Sequence, residues 1–352
     1  MIEARAWLQA LKPYDPHEQP WRVKLDANEN PYPFPAPVLA EMLATLSTGL
    51  FQRYPDATAS QLRAELAAYC GVEADQILLG NGSDEILHLV CQAYVGPGRQ
   101  AVYGGPSFAM YAINTLVTGG TPVEVPLDEE FNLELAPLLE QAQQPATGAV
   151  FICTPNNPTG NLVGRDEIIQ VLERTEALVV VDEAYYEFCG QTVVDLLPRY
   201  PQLLILRTFS KAFGLAGLRV GYALGNRELI RELHKVRQPY NLNAFSQLAA
   251  LTALRHRELF VQQIETILKD KAELSRELAE IAGVKKVWPS AANFLLVEFD
   301  RPAQAVAAAL AERGILVRFL GHPRLTNCLR ITVGTMEENR LLMANVKEVL
   351  AK

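Results

Sequence analysis

The feature that most constrains the fold is an alternation of short apolar runs with an amphipathic helical segment in the middle of the chain. The apolar runs are GAVFIC (148–153), ALVVV (177–181) and LLILRTF (203–209), and the segment RDEIIQVLERT lies between the first two. Short, continuous apolar runs are typical of strands in a parallel sheet that helices cover on both faces. Repeated strand–helix–strand units therefore predict an α/β fold with a mainly parallel sheet sandwiched by helices.

The length of 352 residues is sufficient for one large domain and one smaller domain. The first residues are Pro-rich around NENPYPFPAP and predict an extended arm. We predict an arm over 1–35, a large domain over 36–244, a connecting helical region over 245–282 and a small α+β domain over 283–352, to which the arm contributes. In the small domain the pattern predicts the strands NFLLVEF, ILVRF and CLRITVG, the helix PAQAVAAALAERG, and a last helix capped by Thr335.

Charge and cysteine usage exclude several functional classes. The net charge is -8, with 40 acidic and 32 basic residues and no basic run, which argues against nucleic acid or a membrane surface as a partner. The cysteines are odd in number and scattered, and no C-x-x-C or H-x-x-x-H pair occurs, so we expect reduced thiols and no metal: Cys70, Cys91, Cys153, Cys189 and Cys328. The N-terminus does not resemble a signal peptide and no window resembles a membrane span, so we expect a cytoplasmic protein.

Lys211 lies in an unusual place, between the apolar segment LLIL and the Gly-punctuated run FGLAGLRVG. One interpretation is that its methylene stem reaches along apolar surface and brings the ammonium group to water. The other is that its amine is nucleophilic and therefore neutral for part of the time.

Two motifs have the composition of a phosphate site. GNGSDEILHLVCQAYV (80–95) is a Gly-rich turn that opens a helix, with Gly82 and Asp84 on either side of Ser83, the predicted N-cap. A well-capped helix explains this motif when it is taken alone, whereas backbone N–H groups at a helix N-terminus also suit a phosphate. The second motif surrounds Lys211 and adds hydroxyl groups and a guanidinium: Thr208, Ser210 and Arg219.

Polar residues also follow the two preceding predicted strands. TPNNPTGN (154–161) places Asn157 after one strand, and VVVDEAYYEF places Asp182 and Tyr185 after the next. A plain turn and a helix cap explain these residues equally well when each motif is considered alone. However, ligands of open α/β sheets lie at the carboxyl ends of the strands, where all of these residues are expected.

Together the motifs require a ligand with a phosphate, a group that reacts with an amine, and a basic ring atom that pairs with a carboxylate. Pyridoxal 5′-phosphate has all three. The array NENPYPFP, RYPD, GNGSDE, TPNNPTGN, DEAYYEF, TFSKAFGLAGLRVG and CLRITVG resembles the class I/II aminotransferases among the fold-type I pyridoxal-phosphate enzymes, in order from Tyr14 to Arg330. Within this family it is most similar to the branch that acts on histidinol phosphate.

The resemblance implies a cofactor role for each motif. Lys211 would carry the cofactor and transfer a proton, and Asp182 would face the pyridine nitrogen. Tyr185 and Asn157 would hydrogen-bond the phenolic oxygen, and Phe108 would stack on the ring, where relatives often have Tyr. The phosphate would be surrounded by Gly82, Ser83, Asp84, Thr208, Ser210 and Arg219.

The resemblance also implies a substrate site and a partner subunit. Tyr54 would reach the phosphate of a second subunit, which makes the active unit a homodimer, although a turn before Pro55 also explains this tyrosine. Arg330, assisted by Asn157, would clamp the substrate, although a surface arginine at a strand end is the simpler interpretation. Arg318 would converge on the same pocket, and Tyr14 would close over the substrate.

The implied reaction is transamination between glutamate/2-oxoglutarate and histidinol phosphate/imidazole-acetol phosphate in histidine biosynthesis. The first alternative is an aromatic-amino-acid aminotransferase on the same fold. The second is a non-catalytic pyridoxal-phosphate binder, which the lack of a helix-turn-helix segment disfavours.

Overall fold

The structure is a computed structural model that describes residues 2–9, 11, 13, 20–46 and 50–351. Tyr14 lies outside these residues. The strands, in chain order, are β1 (Val23–Leu25), β2 (Ile77–Asn81), β3 (Gln100–Gly105), β4 (Thr121–Pro126), β5 (Thr147–Cys153), β6 (Leu178–Asp182), β7 (Leu203–Thr208), β8 (Val220–Gly225), β9 (Val284–Val287), β10 (Phe294–Phe299), β11 (Ile315–Phe319) and β12 (Cys328–Thr332).

The helices begin after the arm and continue to the C-terminus. In chain order they are α1 (Ala36–Leu46), α2 (Ser60–Cys70), α3 (Ser83–Tyr94), α4 (Met110–Val117), α5 (Leu135–Ala142), α6 (Arg165–Arg174), α7 (Tyr186–Cys189), α8 (Arg227–His234), α9 (Ala244–Arg255), α10 (Arg257–Ala279), α11 (Ala303–Ala311) and α12 (Met336–Leu350). None of the helices within the described residues is long and apolar enough to span a bilayer.

The larger sheet has the strand order β2-β8-β7-β6-β5-β3-β4. Strands β3 to β7 run parallel to one another, and β8 is antiparallel to its neighbours β7 and β2. Every residue of β5, β6 and β7 is buried, as expected for apolar runs covered on both faces. The prediction of a mainly parallel sheet between helices is confirmed.

Alternate residues of the central strands pack into two separate cores. Val179 and Val181 face the core that includes residues of α2, α5, α6 and α9. Leu178 and Val180 face the core that includes residues of α3, α4 and α8. This period of two explains why the runs are apolar without interruption.

The smaller sheet has the order β1-β11-β12-β10-β9, with β1 parallel to β11 and the other pairs antiparallel. Helices α10, α11 and α12 pack on it around residues such as Leu278, Val306 and Leu342. The predicted strands and helices of this region are present, and Thr335 caps α12 by a reciprocal pair of hydrogen bonds with Glu338. Strands β1 (VKL) and β9 (VKKV) were not predicted, because both are short and contain lysine.

The two sheets meet at the carboxyl ends of β5, β6 and β7. Residues 26–30 of the arm leave β1 and cross this edge. Asn28 fixes the crossing: its N–H donates to Thr332 Oγ1 at 2.9 Å, and its side-chain amide donates to Tyr185 Oη at 2.8 Å. The arm therefore forms one wall of the space between the sheets.

Candidate active site

The polar residues predicted at the strand ends lie side by side because of the sheet register. Cys153 of β5 is opposite Asp182 of β6, and Asp182 is opposite Leu206 of β7. Asn157 and Lys211 each follow their strand by a few residues. The loops after three adjacent parallel strands thus bring an amide, a carboxylate and an amine to one edge of the sheet.

Lys211 has an amine that is easily deprotonated. Its Nζ donates to the carbonyl oxygen of Ala27 in the arm at 2.8 Å. Burial and, next in size, the positive charge of Arg330 lower the pKa of Lys211 from 10.5 to about 8, while Glu29 and Asp84 oppose the change. At pH 7 roughly a tenth of this amine is therefore neutral, which is the nucleophilic form and is far more than for a lysine in water.

Asp182 is 3% exposed and accepts two hydrogen bonds. The Tyr111 hydroxyl donates to Oδ2 at 2.7 Å, and the Ala184 N–H donates to Oδ1 at 3.1 Å. Burial raises the pKa of Asp182 to about 6, and these two hydrogen bonds oppose the increase. At neutral pH the carboxylate is mostly ionised and, in this dry setting, favours a positively charged partner.

Tyr185 lies between Asp182 and the arm, and its phenol stays protonated. Burial raises its pKa, while the charge of Arg330 and the hydrogen bond from Asn28 act in the opposite direction. Because the hydroxyl oxygen accepts from Asn28, its proton is directed elsewhere and can be donated to a ligand.

The predicted anion residues come together, with one change in the helix cap. Gly82, not Ser83, is the N-cap of α3, with φ 81°, and Ser83 is the first helical residue without a side-chain cap. This positive φ favours glycine, and a Cβ at position 82 would also lie 2.6 Å from Nη2 of Arg219, so the arginine side chain would have to move. Thr208 Oγ1 donates to Ser210 Oγ at 3.0 Å, beside this turn.

Arg219 completes the anion set and is already paired. Its Nη2 donates to Asp84 Oδ2 at 2.8 Å, and its Nη1 lies 3.4 Å from Ser210 Oγ. Both partners of the ion pair are about 40% exposed, at 42% and 39%, so the pair is weak enough for an incoming phosphate to share the guanidinium.

The two predicted substrate arginines are cross-strand neighbours. Arg318 of β11 is directly opposite Arg330 of β12, so both side chains project from the same face of the small sheet. Arg330 Nη1 donates to Asn157 Oδ1 at 2.7 Å, and Nη2 donates to the carbonyl of Asp26. Arg330 therefore links the small sheet, the loop after β5 and the arm.

Tyr54 and Phe108 lie in different surroundings. The Tyr54 side chain is 81% exposed and stacks on Tyr240, with ring centroids 4.6 Å apart. Among the described residues, no hydrogen bond or ring contact joins Tyr54 to the predicted phosphate-binding residues of its own chain. Phe108 is half-buried and lies edge-on to Tyr111 at 5.7 Å, beside the Asp182 carboxylate.

Sequence reasoning missed two residues of the site. Asn28 is 1% exposed with a left-handed backbone (φ 55°), and it contacts Tyr185, Thr332 and Asn293. The motif NENPYPFP contains Asn28, and an asparagine in a Pro-rich arm was the available signal. Tyr111 lies three residues after Phe108 and gave no signal, because a buried tyrosine on a helix is an ordinary core residue.

The site has the donor set for pyridoxal phosphate. The amine with the lowered pKa suits the reactive carbonyl of the cofactor, and the ionised, buried carboxylate suits its basic ring nitrogen. The hydroxyl groups, the guanidinium and the helix N-terminus suit its phosphate. Among the described residues, no group of three or more His, Cys, Asp or Glu is arranged to hold a metal ion.

Known proteins similar to this chain cover almost its whole length. The family model for aminotransferase class I and II matches residues 22–346. Histidinol-phosphate aminotransferase of Thermoanaerobacter sp. (strain X514) is 43% identical, covering 99% of this chain and 100% of that relative. Histidinol-phosphate aminotransferase 1 of Carboxydothermus hydrogenoformans is 45% identical, covering 97% and 96%. The crystal structure of histidinol-phosphate aminotransferase from Sinorhizobium meliloti in complex with pyridoxal-5′-phosphate has a TM-score of 0.92 at 25% identity, covering 100% and 98%.

Proposed function

The chain belongs to the class I and II aminotransferases, and we propose that it transfers an amino group between glutamate and imidazole-acetol phosphate in histidine biosynthesis. The observation that carries the proposal is the 43% and 45% identity, over nearly the full length, to relatives named histidinol-phosphate aminotransferase. The cofactor is pyridoxal phosphate, which the donor set of the site fits.

Pyridoxal phosphate, when bound, supplies a carbonyl that reacts with amines and a ring that withdraws electrons. Lys211 would hold the cofactor through its amine and would move the substrate proton. A pKa of about 8 makes its amine a competent base near neutral pH. Asp182 would hold a positive charge at the ring nitrogen, and Tyr185 would donate to the phenolic oxygen together with Asn157. Phe108 would stack on the ring, and the phosphate would be bound by Gly82, Ser83, Asp84, Thr208, Ser210 and Arg219.

The substrate end of the site requires an anion clamp that accepts two different groups. Histidinol phosphate carries a phosphate ester, whereas glutamate carries a carboxylate in the corresponding position. The Arg330 fork suits either oxyanion, and the adjacent Arg318 adds the charge that a dianion needs. Closure of Tyr14 over the substrate stays a prediction, since Tyr14 lies outside the described residues.

The active unit is a homodimer in which Tyr54 serves the partner's site. Its exposure supports this role, as do other exposed apolar side chains, on α1 and near Tyr54: Leu39, Leu43 and Phe51. Mixing Tyr54→Phe subunits with Lys211→Ala subunits tests it. If Tyr54 acts across the interface, one site of the heterodimer is intact and the mixture is more active than the sum of the two separate preparations. If each site is built within one chain, every site carries one defect and the mixture has only the summed activity.

We also propose a cytoplasmic location and no nucleic-acid partner. All five cysteines are free thiols, and the net charge of -8 is unfavourable for a polyanion. Cell fractionation with an antibody tests the location, and a membrane or secreted fraction would contradict it.

The substrate is tested by a competition assay of the purified enzyme with 2-oxoglutarate as acceptor. Histidinol phosphate, phenylalanine and tyrosine compete as donors, and we expect the highest kcat/KM for histidinol phosphate. A preference for phenylalanine would instead identify an aromatic-amino-acid aminotransferase. A cofactor spectrum that does not change on adding glutamate would identify a non-catalytic binder.

A further inference from the structure

Tyr111 contacts two residues of the proposed ring site. Its side chain is fully buried on α4, and its hydroxyl donates to Asp182 Oδ2 at 2.7 Å. Its ring stacks on Phe151, with centroids 4.9 Å apart and planes 5° apart, and lies edge-on to Phe108. Tyr111 therefore contacts both the carboxylate proposed to face the ring nitrogen and the aromatic side chain proposed to stack on the ring.

The pKa values of Tyr111 and Asp182 determine which of the two donates the hydrogen bond. Burial raises the pKa of Tyr111 well above 10, so the phenol keeps its proton and donates it to the carboxylate. Burial also raises the pKa of Asp182 to about 6, and the Tyr111 hydrogen bond is the largest influence that opposes this increase. A hydrogen bond from a neutral donor thus favours the ionised carboxylate in a dry environment.

The hydroxyl is not needed to fill space. Phenylalanine would present the same ring to Phe151 and Phe108, and a buried hydroxyl costs free energy unless it is paired. Tyr222 is a useful contrast, because it is also fully buried but belongs to the core on the other face of the sheet, with its hydroxyl near Cys70.

We propose that Tyr111 is a positioning residue whose hydroxyl keeps the Asp182 carboxylate ionised and oriented toward the ring nitrogen of bound pyridoxal phosphate. The inference rests on the proposed function, since it assumes that this cofactor binds here. Because Ala184 N–H holds the other carboxylate oxygen, the two donors together fix the plane of the carboxyl group. The remaining lone pairs are then available to the ring.

The test measures equilibrium binding to the apoprotein of pyridoxal phosphate and of its analogue with carbon in place of the ring nitrogen. Tyr111→Phe should weaken binding of pyridoxal phosphate about tenfold, a size typical of a hydrogen bond to a charged group. Binding of the analogue should change by less than about twofold, since the carboxylate has no ring nitrogen to face. The control Tyr222→Phe should leave both affinities unchanged.

A second readout is the pH dependence of cofactor affinity. The titratable groups acting on Asp182 are Tyr111, Asp84, Glu183, Cys153 and Tyr185. Among these groups, Tyr111→Phe removes only the Tyr111 hydroxyl, whose hydrogen bond lowers the pKa of Asp182. Asp182 should therefore take up a proton at a higher pH than in the wild type, and the loss of cofactor affinity on acidification should begin at that higher pH. In an Asp182→Asn background, Tyr111→Phe should have no further effect.

The outcomes separate this inference from the proposed function. An equal loss of affinity for pyridoxal phosphate and for the analogue, or no loss for either, would overturn the role of the hydroxyl. An unshifted pH profile would do the same. Failure of the wild-type protein to bind pyridoxal phosphate at all would instead overturn the proposed function.

Discussion

Two lysines in different regions of the molecule have similar acidity and very different neighbours. Burial lowers the pKa of Lys211 and of Lys271 from 10.5 to about 8. Lys271, on α10, donates to the carbonyls of Ser290 and Ala292 at 2.6 and 2.7 Å. Lys211 donates to a single carbonyl, that of Ala27, among the described residues. Depth of burial alone therefore does not distinguish a reactive amine from a structural one.

The charged surroundings make the difference. The groups that act on Lys211 come from the arm, α3, the loop before β8 and the small sheet: Glu29, Asp84, Arg219 and Arg330. For Lys271 the further influence is only the Cys189 thiol. Lys211 thus faces charges of both signs, including two arginines that can bind anions, whereas Lys271 links α10 to the loop before β10. We interpret Lys271 as a structural lysine and use it as the matched control.

The largest expected effect separates the two lysines. Lys211→Ala should reduce kcat by more than the roughly 10²–10⁴-fold that general acid–base catalysis contributes, because cofactor attachment is lost as well. Lys271→Ala should leave kcat within a few-fold of wild type. Steady-state assays at saturating donor measure both. Comparable losses in the two variants would contradict the distinction.

The second-largest effect is expected when the carboxylate at the end of β6 loses its charge. Asp182→Asn keeps the shape and loses the charge proposed to support the ring nitrogen, so kcat should fall roughly 10²–10³-fold, as when one preorganised electrostatic partner is removed. Far-ultraviolet circular dichroism should show an unchanged fold. A variant with near wild-type kcat would exclude Asp182 from this role.

A smaller effect tests the pair of cross-strand arginines in the small sheet. Arg318→Leu should raise KM for histidinol phosphate by a factor on the order of ten to a few hundred, consistent with the loss of a charge-assisted contact. Phenylalanine, with one carboxylate, should be little affected and serves as the control substrate. If KM for histidinol phosphate does not change, Arg318 has no part in the clamp.

The smallest expected effect is a change in the free energy of unfolding when Lys271 is replaced. Lys271→Ala leaves the Ser290 and Ala292 carbonyls without a donor, which should lower the free energy of unfolding by about 1–3 kcal/mol. Between pH 8 and 10.5 the unfolded wild type binds a proton at Lys271 that the folded protein does not. Wild-type stability therefore rises with pH in this window relative to the variant. Urea unfolding at both ends of the window measures the difference, and a constant difference would contradict the lowered pKa.

The strands that carry the site could be predicted because buried parallel strands are continuous apolar runs. β5, β6 and β7 agree closely with GAVFIC, ALVVV and LLILRTF, so the loops carrying Asn157, Asp182 and Lys211 followed directly. The prediction that the serine is the N-cap of α3 was wrong, because a serine in a Gly-Ser pair suggests a capping side chain. The chain instead enters α3 through a residue with positive φ, which favours the glycine at position 82.

The contacts between distant segments could not be predicted. Asn28 reaches Thr332, 304 positions away, and Tyr111 reaches Asp182, 71 positions away. Such pairs depend on how two sheets and a helix pack, which local patterns do not encode. The same holds for Lys271, since nothing in the helical sequence ETILKDK distinguishes a lysine that donates to carbonyls from one in water.

The most direct test of the account is to find which amine reacts with pyridoxal phosphate. Borohydride reduction fixes the bond between the cofactor carbon and the attacking nitrogen, and peptide mass spectrometry locates it. We expect one pyridoxyl group per chain, on Lys211, with Lys271 unmodified although its pKa is also about 8. Labelling of Lys271 in place of Lys211, or of neither lysine, would contradict the claim that the surroundings of Lys211 make it the reactive residue.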